Sequence, residues 1–263
     1  MKKIIALIMA IALTALCFVG CTKGGEDAKL ILVAEKGSAG EEVAMTLTDY
    51  DYTAVDTQAK ALMEVNAGTA DAAIVDYVMS IGSIGEGTDF ENLVVKGDGY
   101  APEFYGIAFR KGSDFTAKVN ETIKALKDEG KLAEIAKKYK LDALIEGGDS
   151  FDAFKQAETD SDYEYIMNKG KLVIGFTYFA PMNYKNDAGE FVGFETEFAK
   201  AVCEKLGIEA EFVEINWNAK ETELAAKNID CIWNGMTIDD DRKANMSITI
   251  PYMQNKQVMV VKK

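Results

Sequence analysis

Residues 230–243 read Asp-Cys-Ile-Trp-Asn-Gly-Met-Thr-Ile-Asp-Asp-Asp-Arg-Lys, and the run closes on Thr-Ile-Pro-Tyr at 249–252. A strand over 231–233 ends in a small-residue turn at Gly235. A hydroxyl follows at Thr237, and one arginine, Arg242, opens a short helix. That order suits capture of a small carboxylate. Glycine lets backbone groups approach a ligand closely, Thr237 brings a hydroxyl and an amide, and the planar Arg242 guanidinium donates two parallel hydrogen bonds. A strand, a turn and a solvated arginine fit the same residues, so this block alone leaves both readings open.

Outward from this block, strands and helices alternate. On its N-terminal side the pattern predicts a helix over 163–168, a strand over 172–176, a helix over 193–206, a strand over 211–215 and a helix over 219–227. A last strand follows at 257–261. The first half repeats the alternation. A strand at 30–34 runs into Gly37-Ser38-Ala39-Gly40 and a helix that opens on Glu41-Glu42, a βα unit with acids in the first helical turn. A helix at 58–65, strands at 71–76, 91–95 and 105–110, and helices at 115–127 and 132–139 complete it. Alternation over both halves predicts an α/β protein of two lobes, each a mostly parallel sheet flanked by helices.

Composition narrows the chemistry. The 263 residues carry a formal charge of −14 with no basic run, which argues against a nucleic-acid partner. Histidine is absent from the sequence, removing the commonest general base and the commonest metal ligand together. No catalytic residue, metal or cofactor is expected. Lys2 and Lys3 precede an apolar run over 4–19, then Gly20-Cys21, the layout of a bacterial lipoprotein export signal. The apolar run is short for a membrane span of roughly 20 residues. We therefore expect residues 1–20 to be a signal, Cys21 to carry lipid, and residues 21–29 to be a tether holding the protein on the extracytoplasmic face of the cell membrane. Cys203 and Cys231 read as small buried hydrophobes, with a disulfide between them left open.

The blocks Lys169-Gly-Lys-Leu-Val-Ile-Gly175, Phe191-Val-Gly-Phe-Glu195, Ile215-Asn-Trp-Asn218, residues 228–237, Asp241-Arg-Lys243 and Pro251-Tyr252 together resemble the polar amino-acid-binding proteins that serve ABC importers. These are the family-3 extracellular solute-binding proteins, of the type II periplasmic binding fold. In that family the segment similar to 169–263 comes first and the one similar to 30–139 follows, so this chain looks circularly permuted. The resemblance implies a smaller lobe over 30–104, a hinge crossing at 105–109 and a larger lobe over 110–263, with 141–160 joining the family's usual ends. A single crossing between lobes is the corresponding expectation.

Carried over position by position, the resemblance gives Arg242 and Thr237 the ligand carboxylate and Gly235 a carbonyl for the ammonium. Ser38, Ala39 and Gly40 offer amides at a helix start, and Asp76 balances the ammonium. Trp217 and Phe179 form apolar walls, with Thr177 beside them. Taken singly, Asp76 also fits a helix cap and Trp217 a core residue. A zwitterion enclosed in a cleft needs paired partners at both charged ends, which this set supplies. Relatives that take cationic amino acids often carry an acid after the strand similar to 172–176. Here that place reads Phe176-Thr177-Tyr178-Phe179, so a neutral side chain is expected, polar or aromatic. The implied function is that of a monomeric binding protein delivering a free amino acid to an importer permease. Sensing without transport, and a dehydratase on the same fold, are the alternatives.

Overall fold

The structure is a computed structural model that describes residues 29–146 and 161–263. Residues 1–20 and Cys21, and much of the joining segment 141–160, lie outside the described residues.

Two sheets organise the molecule. The first opens with β1 (Leu30–Glu35), followed by α1 (Ala39–Thr46), β2 (Tyr50–Val55), α2 (Gln58–Ala67), β3 (Ala72–Asp76), α3 (Tyr77–Ser83), β4 (Leu93–Lys96) and β5 (Pro102–Tyr105). β1 lies parallel between β2 and β3. The apolar run of β3, Ala-Ala-Ile-Val-Asp, is buried along its whole length, as a strand covered on both faces requires. Helix α1 is capped by Ser38, whose hydroxyl accepts from the Glu41 amide. Thr57 caps α2 in the same way, and Gly68 ends it at φ 81°.

The chain then passes to the second sheet through β6 (Ala108–Arg110), followed by α4 (Phe115–Asp128), α5 (Lys131–Lys138) and α6 (Asp162–Lys169). β7 (Lys171–Phe176), the short hairpin β8 (Tyr184–Lys185) and β9 (Phe191–Val192), α7 (Phe194–Leu206) and β10 (Glu209–Glu214) come next. α8 (Lys220–Ala225), β11 (Cys231–Ile232), α9 (Asp240–Asn245), β12 (Met246–Ile248) and β13 (Met253–Lys262) complete the order. Sheet order is β10-β7-β11-β6-β12, with β10, β7 and β11 parallel. Phe115, Val119, Ile123, Leu132, Phe194 and Phe198 bring α4, α5 and α7 together over it.

One expectation is corrected here. β13 does not belong to the second sheet; it pairs antiparallel with β3 and β4 in the first. Continuous chain therefore crosses between the sheets twice, at 105–109 and at 249–253, where a single crossing and a larger lobe running unbroken to 263 were expected. The cause lies in the side chains. β13 opens Met-Gln-Asn-Lys-Gln, and its polar Asn255 and Gln257 are buried where they meet the acids of the first sheet. The two crossings are also laced together. β5 pairs with β13 through Met253 opposite Tyr105, Gln254 opposite Phe104 and Asn255 opposite Glu103.

Secondary structure otherwise follows the sequence pattern closely, with the final strand longer than expected. β2, α3, the short β8–β9 hairpin and β12 are additions, and the strand expected over 105–110 is split into β5 and β6, on different sheets. Cys203 and Cys231 are buried free thiols, so the disulfide left open is not formed.

Candidate functional site

The ends of β1, β3, β7 and β11 converge on a cleft between the sheets. Its walls include Glu35, Ser38, Ala39, Gln58 and Asp76 from the first sheet and Thr177, Phe179, Trp217, Asn234, Gly235, Thr237 and Arg242 from the second. Every residue singled out from the sequence, Cys21 and Gly40 apart, meets here. Gly40 instead lies on the buried face of the first turn of α1, where an added Cβ would stand 3.0 Å from Gln257 Oε1 and 3.1 Å from the Ile74 carbonyl. It permits close helix packing and does not line the cleft.

On the second-sheet side the geometry is tightly fixed. Asp239 caps α9 by accepting from the Arg242 amide at 2.7 Å, and its other oxygen lies 3.0 Å from Arg242 Nε. Arg242 Nη1 donates to the Thr237 carbonyl at 2.8 Å. The guanidinium is thus aimed by two contacts and 6% exposed overall. Gly235 adopts φ 56°, a left-handed conformation that glycine adopts without penalty. A Cβ there would stand 2.5 Å from Phe179 Cε1, so the turn can approach the aromatic wall only as glycine. Its amide donates to Glu195 Oε1 at 2.8 Å, and Tyr252 donates its hydroxyl proton to the same oxygen. Burial pushes the Glu195 carboxyl up to about 7. Asn234 ties the strand ends together. It accepts from the Thr177 hydroxyl at 2.7 Å and donates to the Thr177 carbonyl at 2.9 Å.

The first-sheet side is acidic. Asp76 is 4% exposed and accepts from Gln58, Asn255 and Gln257. The same two β13 amides also reach Glu103, Gln257 Nε2 at 2.7 Å, so Asn255 and Gln257 bridge the two carboxylates. Burial raises both acids above the ordinary carboxylate range, Glu103 to about 8 with Asp76 adding to the rise. The helix-cap alternative for Asp76 is not what its side chain does, because it makes no capping hydrogen bond to α3. Ser38 serves its own helix. Its amide donates to the Glu35 carbonyl at 3.2 Å and its hydroxyl caps α1.

The two sides touch. Lys220 Nζ donates to the Gly37 carbonyl at 3.0 Å, and Arg242 Nη2 approaches the same oxygen at 3.4 Å. Burial, with Arg242 adding to it, lowers the Lys220 ammonium to about 8, and Lys220 lies 5.0 Å over the Trp217 ring. Trp217 is both wall and core, since it packs with Ala108, Leu224 and Ile229. The free cavity volume is about 10 Å³, roughly one water's worth. Glu35, Gln58, Asn234, Glu103 and Lys220 were not singled out from the sequence. Among the described residues, no group of three or more Cys, Asp or Glu side chains is arranged to hold a metal ion.

Residues 172–263 match the family model of bacterial extracellular solute-binding proteins, family 3. The L-cystine-binding protein TcyJ of Escherichia coli (strain K12) is 34% identical over 100 residues, 37% of each chain. A probable amino-acid ABC transporter-binding protein of Haemophilus influenzae is 34% identical over 122 residues, 46% of each chain. The chain thus spans less than half the length of these curated relatives. A crystal structure of a polar amino acid ABC uptake transporter substrate binding protein from Streptococcus thermophilus aligns at 39% identity over 32% of each chain, with a TM-score of 0.31.

Proposed function

We propose that this chain, whose residues 172–263 match the family model of bacterial extracellular solute-binding proteins, family 3, binds a free L-amino acid and delivers it to an ABC importer. One observation carries the reading: a buried guanidinium and a buried aspartate line one cleft from opposite sheets. Arg242 and Thr237 take the carboxylate, Asp76 and the Gly235 carbonyl take the ammonium, and Phe179 and Trp217 flank the side chain, with Thr177 beside them. Ser38 and Ala39 close over the carboxylate at the start of α1.

The energetics are adequate for transport. A hydrogen bond to a charged group contributes about 1.5–3 kcal/mol, and micromolar affinity corresponds to about −8 kcal/mol. A few such bonds, less ordering costs, reach it. Because partners come from both sheets, ligand favours the closed arrangement over an open one, and that difference in affinity drives closure. A cavity this small supports entry through an open arrangement. The side chain taken is neutral, in keeping with the absence of an acid at 176–179.

The same reading makes the protein extracytoplasmic and anchored by lipid at Cys21. It also makes the chain a circular permutant, in which the first sheet is built from residues 30–105 and closed by β13. It makes the chain a binder and not an enzyme; turnover of prephenate or arogenate by the purified protein overturns that part. The direct test is a thermal-shift screen of the twenty amino acids on protein lacking residues 1–20. A ligand of the folded state raises apparent stability by RT ln(1 + [L]/Kd). At least one neutral amino acid is expected to raise the midpoint at micromolar concentration. No response to any of the twenty defeats the proposal.

A further inference from the structure

Glu35 is the cleft residue with no task in this scheme. It ends β1, is 3% exposed and lines the space between the sheets. Its Oε1 is buried and has no hydrogen-bond partner among the described residues. An unpaired buried polar atom costs about 1–3 kcal/mol, so its retention asks for a partner. Asp76, Arg242 and Thr237 serve the backbone end of an amino acid in the proposed scheme, which leaves Glu35 for the side chain.

We propose that Glu35 reads the ligand's side chain and selects an uncharged one that ends in a hydrogen-bonding group, a carboxamide above all. This inference rests on the amino-acid-binding reading above. Two facts choose an uncharged group over a cation. Lys220 is buried at the rim, held on the Gly37 carbonyl two residues from Glu35, and Arg242 approaches the same oxygen. A cationic side chain reaching Glu35 would meet both positive groups at short range. A carboxamide meets neither penalty. It donates N–H to the free Oε1 and presents its carbonyl to the acid's proton, giving two parallel bonds between planar groups. Burial and the neighbouring Asp76 push the Glu35 carboxyl up to about 8, which leaves that proton in place near neutral pH.

The same geometry separates carboxamide from apolar side chains of equal length. A thioether or alkyl chain of similar volume leaves Oε1 buried and unpaired. The sequence holds the matching signal, an acid ending an otherwise apolar strand two residues before Gly37.

The experiment is calorimetric titration of the chain lacking residues 1–20 with L-glutamine, L-methionine and L-lysine, for the native protein, Glu35→Met and Glu35→Gln. In the native protein, glutamine is expected to bind at least tenfold more tightly than methionine or lysine. Glu35→Met is expected to bring methionine level with glutamine. Glu35→Gln, which keeps a planar donor and acceptor, is expected to keep glutamine ahead of methionine. Lysine binding tightest to the native protein overturns the proposal in favour of an ionised Glu35. Equal binding of glutamine and methionine, or an unchanged ratio in Glu35→Met, also overturns it. Failure of every amino acid to bind defeats the underlying reading instead, so the two failures are distinguishable.

Discussion

Two buried arginines show how differently the same side chain is used. Arg110 sits at the end of β6, away from the cleft. Its Nε and Nη2 donate to Asp162 at 3.0 Å, Nη1 donates to the Ile229 carbonyl at 2.9 Å, and Asp230 lies 3.5 Å from Nη2. Asp230 in turn accepts from Lys169 and from the Val173 amide at 2.8 Å. Arg242 has one carboxylate partner, Asp239, and two carbonyl contacts, one of them long. Across from it stand acids held above their usual range by burial. The first guanidinium has two buried carboxylates and ties α6 to the second sheet. The second has one, partly exposed, and faces the cleft, where the proposed function gives it a ligand carboxylate. The number of buried carboxylates on each cation, more than its burial, separates the two.

Breaking each arginine tests this contrast. Arg110→Ala leaves Asp162 buried without its cation and Asp230 with Lys169 alone, and is expected to lower unfolding free energy by about 3–5 kcal/mol. Urea denaturation measures it; a change below about 1 kcal/mol would mean that the cluster contributes little. Arg242→Ala is expected to weaken amino-acid binding about a hundredfold or more, because two charge-assisted bonds of about 1.5–3 kcal/mol each are lost. Its cost in stability should be nearer 1 kcal/mol. Calorimetry against denaturation separates the two effects, and undiminished binding removes Arg242 from the site.

The acids give the smallest and most general effect. Glu35 and Glu103 are raised to about 8 and Glu195 to about 7, from an ordinary value near 4.5. Between those limits the folded chain holds protons that the unfolded chain has released. Their stabilisation is complete below about 4.5 and is lost as pH rises through 7 to 8. Thermal midpoints are expected to fall from pH 5 to pH 8.5 by at least about 2–4 °C, which corresponds to roughly 1 kcal/mol in a chain of this size. Glu195→Gln should flatten the lower part of that slope. A midpoint that rises toward pH 8.5 contradicts the burial account.

The guanidinium side of the cleft was legible because its parts are neighbours in sequence. Gly235, Thr237 and Arg242 sit within one strand–turn–helix unit, and the turn's glycine and the helix's first-turn acids are local signals. Asp76 was legible as the polar end of an apolar strand. Glu103 and Glu195 were not. Each acquires its role from partners far along the chain, Gln257 for one and Tyr252 for the other. Glu35 closes an apolar strand as Asp76 does, but what marks it out, burial with an unpaired oxygen, is a product of the fold. β13 misled because its first five residues lack an apolar run, their burial coming from amide bridges and not from hydrophobicity. The second crossing could not be read for the same reason.

The lacing of β5 to β13 has mechanical meaning. Two separate strings would let one body swivel and slide over the other in several directions. Strings sewn into a narrow band bend easily across the flat and resist shear within it, since shear breaks the rungs. Under the proposed closure, that band reduces the relative travel of the two sheets to one angular coordinate, as in a book opening along its spine. Glu103 and Asn255 face each other on that spine, and the Asn255 amide donates to both Glu103 and Asp76. Under the proposed function, bending there re-aims Asp76, the residue assigned to the ammonium, in the same movement.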